Sequence, residues 1–338
     1  MKAVRLIAIG DRKDPTLRSE PTPTPGREDV LIRVHAASLN FRDQSILTGH
    51  YRGPLKSNGV PLSDGAGEVV AIGSDVTRVK VGDRVTANCN VHWIGGPRLA
   101  EYRASAIGMT TDGMLAEHAL VHQNALLHLP DYLSYTEAAS LPCAAVSAWS
   151  ALHVATPLQP GHTVLIQGTG GVSLFGLQIA RIFGARVLAI TSTDEKAEIL
   201  KGLGAEAVVN YRAKADWEHE ILDLTDGKGV DKVIDIAGEA TIVKSAAATR
   251  VGGEIGLVGF ASGFGGGLPP IDILQRGLTI AGIGVGPRTY FESLLAAMES
   301  NHVRPVIDQV FPFDEYREAY RRIESGNHVG KIVIDVAK

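Results

Sequence analysis

Apolar and polar positions follow two rhythms along the 338 residues, and the rhythm changes near residue 144. Up to about residue 140, short runs of strand length are broken by turn residues. Residues 30–36 and 68–72 read as strands, with Gly82-Asp83 and Pro130-Asp131 as turn signals. Residues 20–26 hold three prolines, which fix φ and remove amide donors, so this stretch is an extended connector. Residues 90–113 show little periodicity, and so long a loop in a compact domain is expected to be functional. Beyond residue 144, apolar runs of strand length alternate with helical patterns. Strands are expected at 162–167, 186–190, 207–210, 230–236, 254–258 and 278–285, and helices at 172–183, 194–203, 217–224 and 240–250. The strands are apolar nearly throughout, as parallel strands covered on both faces must be. Such a succession specifies a doubly wound α/β sheet. A further helix at 291–298 and a strand at 331–336 close the pattern.

Composition narrows the class. The chain is 45% hydrophobic and 21% charged, and its length exceeds one ordinary core, so two globular domains are expected. A net charge of −4 gives no electrostatic case for nucleic acid or an anionic membrane. The two cysteines, Cys89 and Cys143, lie far apart in sequence, which favours a reducing compartment. With no signal-like N-terminus and no long apolar span, a cytoplasmic location is expected.

The strongest chemical signal is the turn Gly168-Thr169-Gly170-Gly171-Val172-Ser173, between an apolar strand and an apolar helix. Gly168 permits a tight turn, and Gly170 lets backbone approach a pyrophosphate at the helix N-terminus. Ser173, also small, takes the third fingerprint position. NAD sites place a carboxylate at the end of the second strand, where it binds the ribose 2′-hydroxyl. Here that strand ends in Thr191-Ser192-Thr193. A carboxylate about 4 Å from a 2′-phosphate would cost roughly 4 kcal/mol per charge pair at an effective dielectric of 20. Its absence favours NADP(H) over NAD(H), with Ser192, Lys196 and Tyr211 as candidate contacts. Ser192 and Thr193 also suit a helix cap, and both roles are compatible.

Leu39-Asn40-Phe41-Arg42-Asp43, Asp64-Gly65-Ala66-Gly67-Glu68, Val81-Gly82-Asp83-Arg84-Val85, Leu141-Pro142-Cys143, the Gly-rich turn and Gly252-Gly253-Glu254 occur in this order. Together they resemble the medium-chain dehydrogenase/reductase superfamily. The resemblance implies a mostly-β GroES-like catalytic domain made of residues 1–143 and 289–338, and a Rossmann domain at 144–288. Zinc-dependent members hold catalytic metal with two cysteines and a histidine beside a glutamate. This chain has Asn40 at the first cysteine's position and Ser63-Asp64 at the His-Glu pair, and it lacks the four-cysteine structural lobe. One thiol with a lone carboxylate does not supply the three protein ligands of catalytic zinc, so no zinc is expected. The pattern therefore resembles the zinc-free quinone oxidoreductase-like branch.

By that resemblance, Asn40, Arg42, Asp43 and Ser45 are the candidate catalytic groups. Arg42 is placed either to stabilise an enolate oxygen or to pair with Asp43 or Asp64. Ser147, Val258, Phe260, Ile283 and Val285 fall on the nicotinamide side, and Lys331 at the pyrophosphate. Trp93, Phe260 and Phe264 are the expected substrate wall, and 263–267 a lid. The expected partners are a small-molecule substrate and a second copy, joined through an edge strand of the Rossmann sheet. Three readings stay open: an NADPH-dependent reductase of quinones or enones, an alcohol dehydrogenase, and an NADP(H)-binding protein without turnover.

Overall fold

The computed structural model describes residues 1–153 and 155–337. The chain divides into two compact units, Met1–Ala144 with Gly286–Lys338, and Ala145–Val285.

In the first unit, β1 (Lys2–Ile9) and β2 (Arg12–Ser19) form an antiparallel ribbon. Five more strands follow: β3 (Asp29–Ser38), β4 (Asp64–Ile72), β5 (Arg84–Ala87), β6 (His118–His122) and β7 (Leu126–His128). The second unit supplies β8 (Thr163–Gln167), β9 (Arg186–Thr191), β10 (Ala207–Asn210), β11 (Val230–Asp235), β12 (Thr249–Leu257) and β13 (Thr279–Gly282). The chain then returns to the first unit with β14 (Ile307–Pro312) and β15 (Lys331–Asp335).

The first unit's main sheet runs β14-β15-β3-β4-β5-β7, with β6 also paired to β3. β15 lies antiparallel to β3, Val333 opposite Ser38, so the C-terminal segment completes a sheet begun near the N-terminus. Alternation along β3 turns Val30, Ile32 and Val34 into a core that also takes Leu62, Leu115, Phe311, Tyr316 and Ile332. That shared core is why the terminal segments fold as one body.

The second unit is a six-stranded parallel sheet in the order β10-β9-β8-β11-β12-β13. Chain direction reverses its progress between β8 and β11, and ligands of such sheets bind outside the strand carboxyl ends at that crevice. Leu165, Ile166, Val233 and Ile234 are fully buried in it. A buried ion pair interrupts the apolar strands: Lys232 on β11 is 2% exposed, and its ammonium bonds Glu254 of β12 and the Thr156 carbonyl.

Several expected elements differ in extent. The strand expected at 278–285 is only Thr279–Gly282, because the chain leaves the sheet through Gly284 and Val285, the latter at φ +66. The 240–250 helix is confined to Ile242–Ala248, since Thr249 already pairs with Val230 and opens β12 early. Residues 90–113 contain a 3-10 turn, Ala100–Ser105, and a bridge between Asn90 and Ala106. No helix among the described residues is long and apolar enough to cross a membrane.

Candidate active site

Two glycines at the end of β8 have different reasons to be glycine. Gly168 has φ +75, a conformation that favours glycine, and its amide donates to the Ile190 carbonyl at 2.7 Å. Gly170 has φ −73, and a Cβ added there would meet no heavy atom within 4 Å. Neither backbone nor packing requires glycine at 170. The open space it leaves lies at the N-terminus of the twelve-residue helix Gly171–Ile182, whose first amides have no intrahelical acceptor. The cradle at Gly168, Thr169, Gly170, Gly171 and Val172 therefore fits a pyrophosphate. Gly176 has a third reason, since a Cβ there would stand 2.5 Å from Ile234 Cδ1, and either that buried side chain or the helix would have to shift. Ser173 is fully buried and its hydroxyl donates to the Gln167 carbonyl at 2.5 Å.

Behind the turn lies a polar network. Gln167 Nε2 donates to Ser245 Oγ (2.8 Å) and Asp235 Oδ2 (3.3 Å), and Ser245 Oγ donates to the same carboxylate at 2.7 Å. Asp235 Oδ1 accepts from the Gly238 amide (2.9 Å) and Thr241 Oγ1 (2.8 Å). These bonds tie the carboxyl ends of β8 and β11 together. Periodicity carried no sign of them, because Gln167 and Asp235 sit where an apolar strand simply ends.

Around this turn the expected cofactor residues fall at neighbouring strand ends. The Tyr211 amide donates to the Thr191 carbonyl at 2.9 Å, which sets Tyr211 beside the segment carrying Ser192. Thr193 Oγ1 accepts from the Lys196 amide, so the cap is real, while Asp194 is engaged by Asn210 Nδ2 at 2.8 Å. The Val258 amide donates to Asp235 O and the Ile283 amide to Leu257 O, which places Val258 and Ile283 directly past β12 and β13. Val285 lies two residues beyond Ile283, and Ser147 is buried on the helix Ala144–His153. Phe260 and Phe264 stack with centroids 4.8 Å apart. The 263–267 segment is held by Glu239, whose carboxylate accepts from the Gly265 amide.

The first unit gathers a charged cluster around Asp64, which is fully buried. Its Oδ1 accepts from Ser63 Oγ at 2.5 Å and its Oδ2 from the Cys143 amide at 3.1 Å. Cys89 Sγ lies 3.8 Å from Oδ1, and Lys331 Nζ 3.7 Å from Oδ2. Arg42 Nη2 donates to Ser63 Oγ at 2.5 Å, yet Arg42 Nε is buried without a partner. Asn40 Oδ1 accepts from Lys331 Nζ at 2.6 Å, and Asn40 Nδ2 is likewise buried without a partner. Two buried donors of this cluster thus lack acceptors among the described residues.

Charge in this cluster is balanced internally. Burial opposes the Arg42 charge, but Cys143, Asp43, Cys89 and Asp64 hold it firmly protonated. The Cys89 thiol donates to Cys143 and, with Arg42 nearby, brings the Cys143 thiol below its ordinary range. Cys89 itself is pushed up. Burial raises Asp43 to about 6 despite Arg42 and the Asn40 amide, which donates to its Oδ2 at 2.8 Å.

Asp64, Cys89 and Cys143 place their ligand atoms within 4.8 Å of one another, a grouping hidden in the sequence, where Cys89 has no near partner. The set nevertheless suits a divalent cation poorly. Both Asp64 oxygens already accept hydrogen bonds, and Lys331 and Arg42 are bonded within the same cluster.

Three expected roles are corrected. Lys331 is 3% exposed and its ammonium is committed to Leu39 O and Asn40 Oδ1, so it is not a free pyrophosphate ligand. Ser45 is buried with its hydroxyl turned back to the Phe41 carbonyl of its own helix at 3.3 Å. Trp93 is 6% exposed, donates to Gly96 O and stacks on Tyr102, so its side chain ties the long loop together.

Residues 26–131 match the alcohol dehydrogenase GroES-like domain family, and residues 171–300 the family described as zinc-binding dehydrogenase. A zinc-type alcohol dehydrogenase-like protein of Schizosaccharomyces pombe is 41% identical over 314 residues, covering 91% of both chains. The quinone oxidoreductase of Homo sapiens is 29% identical, over 99% of this chain and 97% of its own. A solved structure of an NAD-dependent alcohol dehydrogenase is 32% identical with a TM-score of 0.89, covering 99% of this chain and all (100%) of that one.

Proposed function

This chain belongs to the medium-chain dehydrogenase/reductase superfamily, in its quinone oxidoreductase-like branch, as an NAD(P)(H)-dependent oxidoreductase; we propose that it reduces quinones, enones or similarly activated substrates with NADPH and without zinc. The observation that carries this reading is the pair of buried, unpartnered donors, Arg42 Nε and Asn40 Nδ2, beside a carboxylate each of whose oxygens already accepts a hydrogen bond.

Bound NADPH supplies a hydride and no proton. The amides at Gly168–Val172 hold its pyrophosphate, and Ser192, Lys196 and Tyr211 would take the 2′-phosphate, at a strand end, Thr191-Ser192-Thr193, that carries no carboxylate of its own. Phe260 and Phe264 offer an apolar face to the substrate. Arg42 and Asn40 receive the substrate oxygen on which negative charge develops as hydride is added elsewhere. Ser63 and Asp64 fix the guanidinium, and Lys331 fixes the Asn40 amide, so neither donor reorganises when charge appears. Zinc contributes several kcal/mol by polarising an unactivated carbonyl. A quinone or enone is already electrophilic, and one fixed cation with an amide suffices for it.

NADPH and NADH oxidation, measured side by side against quinones, enones, aldehydes and ketones, tests the proposal. Faster turnover with NADPH on quinones or enones supports it, and turnover confined to aldehydes with NADH overturns it. Reduction of simple aldehydes is the second reading, favoured by the alcohol dehydrogenase-like relative in fission yeast. We further propose a homodimer joined through β13, which lies at the edge of its sheet.

A further inference from the structure

The hydride chemistry above uses neither thiol of the Asp64 cluster. Cys89 and Cys143 are both free, Cys89 buried and Cys143 partly exposed. Their sulfur atoms lie within 4.8 Å of each other, so closing to a disulfide bond of about 2.05 Å asks for at most about 2.7 Å of approach. Their surroundings are unlike. Arg42 is a fixed cation whose charge is held in part by Cys143, whereas Cys89 faces the Asp64 carboxylate at 3.8 Å. A reactive cysteine sits in an electropositive, partly exposed place, and a resolving cysteine stands beside it.

We propose that Cys143 and Cys89 form a hydroperoxide-responsive dithiol, with Cys143 the attacked sulfur and Cys89 the resolving one. The Cys143 thiolate attacks a peroxide oxygen; the S–O bond forms, the O–O bond breaks, and the leaving hydroxide takes up a proton as water. Cys89 then attacks the sulfenic sulfur, so the S–S bond forms and the S–O bond breaks. The second hydroxide leaves as water with the Cys89 proton, which Asp64 Oδ1, 3.8 Å from that sulfur, relays. With hydrogen peroxide, two thiols give one disulfide and two waters, and with an organic hydroperoxide the first leaving group departs as its alcohol; a dithiol reductant restores both thiols. Arg42 favours the first step by stabilising the thiolate. Asp64 repels negative charge on Cys89, which keeps that sulfur protonated until the sulfenic acid is in place.

The test is intact-mass spectrometry of the reduced, full-length protein treated with a few equivalents of hydrogen peroxide, followed by peptide mapping. The expected result is a loss of about 2 Da, one cross-link between the Cys89 and Cys143 peptides within a single chain, and full reversal by dithiothreitol. The Cys89→Ser variant stops at the sulfenic acid, a gain of about 16 Da on Cys143 that dimedone traps, while Cys143→Ser shows neither change. An unchanged wild-type mass overturns the proposal, as does a cross-link between chains or dimedone capture on Cys89. The wild-type measurement stands whether or not either variant folds, and it does not depend on which substrate the enzyme reduces.

Discussion

Replacing Gly170 with alanine separates the binding role of the turn from its structural role. At Gly170 φ is −73 and the nearest heavy atom to an added Cβ is beyond 4 Å, so alanine is neither strained nor crowded. The folded protein changes by less than about 1 kcal/mol, since a lost N-cap preference is offset by a less flexible unfolded chain. The added methyl group enters the space assigned to the pyrophosphate. Forfeiting one backbone hydrogen bond to a charged oxygen costs about 1.5–3 kcal/mol, which is a roughly 10- to 150-fold weaker NADPH Kd. Gly176→Ala is the mirror control: its Cβ would lie 2.5 Å from Ile234 Cδ1, and overpacking of this kind costs about 1–3 kcal/mol of stability. Calorimetric titration with NADPH and thermal unfolding without ligand resolve the two. Gly170→Ala lowers affinity with Tm nearly unchanged, and Gly176→Ala lowers Tm. Unchanged NADPH affinity in Gly170→Ala would refute the assignment of this space to the cofactor.

Further expectations concern charge. Glu254→Gln leaves Lys232 buried without its anion, which costs about 3–5 kcal/mol, whereas joint replacement by Lys232→Met and Glu254→Leu recovers most of that in chemical denaturation; equal losses in both proteins would contradict this. Asp43 is 2% exposed and raised to about 6, so its contribution to stability is full below about pH 4 and is lost as pH rises through 6. The wild type should therefore lose about 3 kcal/mol relative to Asp43→Asn between those limits, and a difference that stays flat with pH argues against a raised Asp43. Arg42→Leu should lower kcat on an enone by about 100-fold while leaving NADPH affinity within a factor of about 2. An equal loss of NADPH binding would place Arg42 elsewhere in the chemistry.

The parallel sheet was legible because its strands are apolar on both faces and its turn carries glycines with separate duties. Its edges were less so: Val285 takes a left-handed conformation that no side-chain pattern announces, and Thr249 joins a strand through its backbone partner Val230. Asn40 and Arg42 were found through the resemblance and do converge on one cluster. The rest of that cluster was illegible for a topological reason. Cys89 follows β5, Cys143 precedes a helix, and Lys331 opens β15, so only pairing of distant strands brings them to Asp64. Lys331 and Trp93 were misassigned because their side chains satisfy nearby backbone carbonyls, a use that residue type does not reveal.

The most direct measurement is the NADPH oxidation rate of exhaustively chelated protein on a quinone and an enone, with zinc quantified in the same sample. The account predicts undiminished turnover at far below one zinc per chain, with NADPH preferred to NADH. Activity that vanishes on chelation and returns with one equivalent of zinc would contradict it.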